Sequence, residues 1–105
     1  MEPYRIAFTT VASMEEAKRI ARTLLEERLA ACVNIVGGLA SIYRWKGAIE
    51  EAQEVLLLIK TRAEKLEALE AAVRRLHSYD VPEFVVLKLD GGCAAYLKWI
   101  DECLE

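Results

Sequence analysis

A chain of 105 residues, 54% hydrophobic and 30% charged, has room for one domain around one core, spanning residues 1–105. Fourteen Lys and Arg against 17 Asp and Glu leave a net charge of −3, which argues against nucleic-acid binding through phosphate neutralisation. No apolar run reaches the roughly eighteen residues of a membrane helix, so no membrane partner is expected.

Tyr4 to Thr10 alternates and is rich in strand formers, which predicts a first strand. Ser13 is a good N-cap, and Glu16 at the third helical position completes a capping box. Ala17, Ile20, Ala21, Leu24 and Leu25 then recur at helical spacing, with Glu15, Lys18, Arg19, Arg22 and Glu26 on the opposite, solvated face. A second strand is predicted from about Ala31, with Val33 and Ile35 facing one way. Gly37-Gly38 interrupts it as a bulge or a bend. Extended structure resumes through Ser41 to Trp45, and Lys46-Gly47 suits a hairpin turn.

The returning strand, Glu54 to Lys60, holds five apolar residues in a row. Thr61 to Leu76 reads as a helix with Leu66, Leu69, Val73 and Leu76 on one stripe. Pro82 forces Val81 toward extended geometry, so that helix stops and a fourth strand, Val81 to Leu89, begins. Gly91-Gly92 makes a turn, and Ala94 to Leu104 a last helix turning Leu97, Ile100 and Leu104 inward.

The order β-α-β-β-α-β-α gives an α+β, ferredoxin-like (split βαβ) sandwich. It comprises a four-stranded antiparallel sheet, a long bent hairpin and an extra C-terminal helix. Both packing helices lie on one sheet face. An isolated domain makes the other face polar, giving alternation along each strand. Val55 to Ile59 and Phe84 to Leu87 are instead apolar on both faces. The last helix is too short to cover the second face, so sheet-to-sheet packing between subunits is expected.

Four segments carry a resemblance to the CutA family, the divalent-cation tolerance proteins. They are Glu27-Arg-Leu-Ala-Ala-Cys-Val-Asn-Ile35, Ser41-Ile-Tyr-Arg-Trp-Lys-Gly47, Leu56-Leu-Leu-Ile-Lys-Thr61 and His77-Ser-Tyr-Asp-Val-Pro-Glu83. The resemblance implies a tight homotrimer, related in architecture to the PII signalling proteins and linked to copper tolerance in bacteria. It also implies an inter-subunit cleft lined by Cys32, Trp45, Glu54, Lys60, His77 and Tyr79. Some members bind copper through a cysteine near the end of the first strand and two adjacent histidines. The matching positions here are Thr9, Leu76 and His77, so His77 is the only metal ligand of that set, and any copper bound there is expected to be weak.

The same residues have plainer readings. His77, the only histidine, suits a helix C-terminus, where an imidazole satisfies a free carbonyl. Tyr43 and Trp45 share a strand face and serve as interface anchors or as a ligand platform. Glu54 and Lys60 bracket the apolar strand, as solubilising charges or as cleft residues. Asp80 suits local turn bonding. Cys32, Cys93 and Cys103 lack the close pairing of zinc or dithiol sites and read as buried or incidental thiols.

No phosphate loop, nucleophile elbow or metalloprotease helix motif is present, and no nucleophile accompanies Asp80 and Glu83. The expectation is therefore a non-enzymatic protein. Met1 to Arg5 lacks the basic-then-apolar design of a signal peptide, so a cytoplasmic location is expected. The alternatives are a PII-like regulator holding a small anion and a protein partner, and a purely structural docking trimer.

Overall fold

The computed structural model describes residues 3–105. The leaderless reading of the start rests partly on Met1 and Glu2, which lie outside the described residues. Four strands, β1 (Tyr4–Val11), β2 (Cys32–Trp45), β3 (Ala48–Arg62) and β4 (Val85–Lys88), form one sheet in the order β2-β3-β1-β4. Every neighbouring pair is antiparallel. The helices are α1 (Met14–Glu26), α2 (Leu66–Leu76) and α3 (Ala94–Cys103), and one 3₁₀ turn (Ala63–Lys65) leads into α2. This is the expected α+β, ferredoxin-like arrangement. No helix of the described residues is long and apolar enough to cross a membrane.

Alternation along the strands decides the two sheet faces. Val55, Leu57, Ile59 and Thr61 of β3 and Ala7, Thr9 and Val11 of β1 are buried beneath α1 and α2. Ala17, Ile20 and Leu24 of α1 and Leu69, Ala72 and Val73 of α2 complete that core. Leu25, read as part of the α1 stripe, is 42% exposed, because the arc that buries Leu24 turns its neighbour outward. Ile6, Phe8, Leu56 and Leu58 point to the other face and stay only half-buried. Beside them, Val85 and Leu87 of β4 are 49% and 54% exposed.

At one end of the sheet α3 packs Ile100 and Leu104 against Ala31, with Tyr4 and Leu97 alongside. The Tyr4 hydroxyl donates to Asp101 at 2.9 Å, and Arg62 pairs with the same carboxylate. The middle of the second face remains open.

Three boundaries differ from the sequence reading. Strand β3 runs from Ala48 to Arg62, well beyond Glu54 and Lys60. Thr61, expected to begin a helix, pairs with Arg5, and its buried hydroxyl donates to the Leu29 carbonyl at 2.8 Å. Sheet pairing thus overrides local helix preference until Ala63. Strand β4 is only Val85–Lys88, because β1 offers it a partner only at Arg5 to Phe8. Pro82, with no N–H to give, stays in the loop before it.

Residues Val55 to Arg62 of β3 pair with β1, while Ala48 to Glu54 pair with β2 alone. The hairpin thus projects as a two-stranded arm, and the molecule measures 44 × 26 × 24 Å. A register shift between Val36 and Leu39 marks the bulge expected at Gly37-Gly38, where Gly38 has φ +73°. At the tip Lys46 and Gly47 both have positive φ, 49° and 83°, and the flanking Trp45 and Ala48 pair. That geometry is a two-residue type I′ turn, whose twist matches the strands it joins.

Candidate functional site

The irregular segment between α2 and β4 meets the base of the hairpin arm, and the meeting point is built around His77. Helix α2 ends there: the His77 N–H closes the last turn onto Val73 O at 2.9 Å, while its backbone turns extended. The imidazole is fully buried. Its Nε2 lies 2.8 Å from the Thr10 carbonyl, which can only accept, so Nε2 carries the proton. Its Nδ1 accepts the Tyr79 N–H at 3.0 Å. His77 is therefore a neutral strap between the end of α2 and the end of β1. It does not cap a free α2 carbonyl, and within the single chain it lies behind Tyr79.

Glu16 completes the strap. Ser13 caps α1 as expected, its Oγ accepting the Glu16 N–H at 3.1 Å. The reciprocal arm of the capping box is redirected, because the Glu16 carboxylate accepts from the Ser78 N–H at 2.9 Å and the Ser78 hydroxyl at 3.0 Å. Burial pushes the Glu16 carboxyl up, but these bonds from Ser78 outweigh it and hold the group below the usual carboxylate range. Glu16 Oε2 is 3.7 Å from His77 Nδ1.

Tyr79 carries the network to the surface. Its ring lies 4.7 Å from the His77 ring, and its hydroxyl donates to Glu54 Oε2 at 2.8 Å. Burial, then the bond to Glu54, pushes its pKa up to about 12, so the phenol stays a neutral donor. Between this loop and the arm lies a cleft of about 800 Å³. Tyr43, Trp45, Glu50 and Glu54 line it from the arm, and Tyr79, Asp80 and Glu83 from the loop. None of its lining residues is Lys, Arg or His.

A family model described as CutA1 divalent ion tolerance protein matches residues 5–103. The chain belongs to the CutA1 family. It is 52% identical over 97 residues to the divalent-cation tolerance protein CutA of Thermus thermophilus, covering 92% of this chain and 94% of that one. It is 46% identical over 99 residues to protein CutA of Homo sapiens, covering 94% of this chain. There the chain spans only 55% of its relative's length. The crystal structure of CutA1 from Oryza sativa superposes with a TM-score of 0.96 at 42% identity, over 99% of this chain and 95% of that one.

Within one chain, the six residues that the CutA resemblance grouped fall into two places. Trp45, Glu54 and Tyr79 line the cleft, with His77 directly behind Tyr79. Cys32 and Lys60 face each other across β2 and β3, six residues along β3 from Glu54, or about 20 Å. There Lys60 bonds the Asn34 side chain and lies 5.9 Å from the Tyr96 ring, while the Cys32 thiol donates to the same Asn34 oxygen at 3.9 Å. Tyr43 and Glu50 were not grouped with the cleft. They are cross-strand partners, and counting back from the Lys46-Gly47 turn places them opposite each other.

The copper ligand set does not fit this geometry. Both His77 ring nitrogens are engaged, and Leu76 supplies only carbon. Thr9 offers a fully buried hydroxyl that lacks a partner among the described residues, a poor ligand for a soft ion. Among the described residues no three His, Cys, Asp or Glu side chains converge closely enough to hold a metal.

Proposed function

We propose that this chain acts as a non-enzymatic, cytoplasmic homotrimer in divalent-cation tolerance, with its clefts lying between subunits. The observation that carries the reading is the uncovered second face of the sheet. Ile6, Phe8, Leu56, Leu58, Val85 and Leu87 form an apolar surface that α3 leaves open. The arm adds to it, with Trp45 57% exposed on a ribbon of two strands. Such a ribbon is marginal alone and gains stability when a neighbour covers it. Packing subunits through this face buries both features at once, and it is also how Cys32 and Lys60 of one copy reach the Trp45, Glu54 and Tyr79 of another.

Light scattering tests the reading. A single mass of about 35 kDa, three times the 11.8 kDa chain, is expected at micromolar concentration. A stable species of one chain mass overturns it. Cell fractionation placing the protein outside the cytosol overturns the location. Within one chain the cleft's only ionisable groups besides tyrosine are carboxylates, so the PII-like alternative, a small anion there, depends on Lys60 of a neighbouring copy. A copper ion at His77 has to displace the Tyr79 N–H or the Thr10 carbonyl, each bond contributing about 1 kcal/mol. With no companion ligand at Thr9 or Leu76, the copper response at that position is weak.

A further inference from the structure

We infer that a second cavity, on the helix side of the sheet, binds a free α-amino acid with an apolar side chain. This site is separate from the cleft beside the arm and independent of the assembly proposed above. Glu70 and Arg74 of α2 wall it on one side, and Asp80, Val81, Pro82 and Phe84 of the loop before β4 on the other. Its volume, about 320 Å³, is at the small end of ligand sites and suits a molecule of amino-acid size.

The position keeps the cavity clear of the face assigned to assembly. Phe84 packs against the core beneath α1 and α2, two residues before Val86, which pairs with the buried Ala7. Phe84 and α2 therefore enclose the cavity from the helix side. The subunits are proposed to meet through Ile6, Phe8, Leu56 and Leu58, which point the other way. Asp80 and Val81 also line the cleft, so recognition falls to the four residues that the cleft does not share.

Two of those four carry opposite charges that stand unpaired. Glu70 and Arg74 are four residues apart on α2, about 6 Å along its axis. That spacing suits an ion pair. Yet neither side chain has a hydrogen-bond or ion-pair partner among the described residues. Their neighbours differ: Arg75 pairs with Glu27 at 2.9 Å, and Arg19 donates to the Leu76 carbonyl at 3.1 Å. A carboxylate and a guanidinium held apart complement the ammonium and carboxylate that an α-amino acid carries on one carbon. Arg74 offers parallel N–H donors to the α-carboxylate, and Glu70 accepts from the α-ammonium.

The other two residues set the side chain. Pro82 has no N–H to offer, and the Phe84 ring is half-buried beside it. An aliphatic group laid across them leaves water for carbon surface, whereas a polar one gains no side-chain partner there. The walls are also stiff. The loop is fastened by His77 to Thr10 and by Ser78 to Glu16, and Pro82 fixes its own φ, so binding has little chain left to order.

Isothermal titration of the full chain with leucine, alongside light scattering of the same sample, tests the proposal. Saturable binding is expected. Glu70→Gln and Arg74→Gln should each weaken it roughly tenfold. Glu26→Gln, an exposed acid of α1 outside the lining, should leave it unchanged. Leucinamide lacks the carboxylate, isocaproate the ammonium and glycine the side chain, and each should bind at least about tenfold more weakly than leucine. A parent protein that gives no saturable heat refutes the site, whatever mass the scattering returns. A monomer that binds leucine in this pattern upholds the site and sinks only the assembly. Binding that ignores Glu70 and Arg74, or falls equally with Glu26→Gln, refutes the assignment to this cavity. Leucinamide or isocaproate matching leucine refutes the paired charges, and glycine matching it refutes the apolar floor.

Discussion

Leu57 and Leu58 are neighbours of the same residue type, and an aspartate at each should produce opposite failures. Leu57 is fully buried between β3 and the helices, packed with Ile20, Leu24 and Leu69 in the core. Leu57→Asp forfeits about 1.5–3 kcal/mol of burial and encloses an unpaired carboxylate at a cost of several more. Together these approach the whole stability of a domain, about 5–15 kcal/mol. The variant should therefore fail to fold. Leu58 points to the open face and is half-buried in the single subunit, opposite Phe8 and Asn34. An aspartate there reaches water, and the isolated fold loses only about 1 kcal/mol.

In the proposed trimer, three such charges enter an apolar interface without partners, each costing several kcal/mol. Leu58→Asp should thus give a folded species of one chain mass. Circular dichroism and light scattering on the two variants read both outcomes. A Leu58→Asp protein that stays trimeric with an unchanged melting temperature refutes the assignment of this face to assembly.

Glu16→Gln should lower stability at neutral pH by about 1–2 kcal/mol, since the charge-assisted bonds to Ser78 are weakened. The Glu16 carboxyl is depressed in the folded protein, so its contribution is complete above the unfolded value of about 4.3. That contribution disappears as pH falls through the lower folded value. Urea titrations of parent and variant should therefore differ at pH 7 and converge in acid, and a gap independent of pH contradicts the assignment. His77→Ala should cost about 2–4 kcal/mol, because it empties a buried ring site and strands the Thr10 carbonyl and the Tyr79 N–H. Scanning calorimetry measures this, and a loss under about 1 kcal/mol returns His77 to the status of a simple helix-end residue. Calorimetric titration with copper should show no His77-dependent binding tighter than about 1 mM, and a micromolar site abolished by His77→Ala overturns the strap as its fixed role.

Much of the fold is legible along the chain because it is written in local periods and turn chemistry. The spacing of Ala17, Ile20, Ala21 and Leu24 specifies α1 and its buried side. The double glycine at 37 and 38 marks the bulge, and Lys46-Gly47 the hairpin turn. The apolar run Val55 to Ile59 announces a strand apolar on both faces, but a run without alternation cannot say which residues face the helices. Register with β1 decides that Leu57 belongs to the core and Leu58 to the open face.

The same long-range pairing keeps Thr61 in a strand, and a contact 62 residues away redirects Glu16 from its own helix to Ser78. His77, Tyr79 and Glu54 gain their roles only when α2, β1 and the arm are brought together. Local sequence sets backbone preference, worth up to about a kilocalorie per residue for ordinary side chains. Buried hydrogen bonds and close packing, which exist only in the assembled fold, outweigh that preference wherever the two disagree.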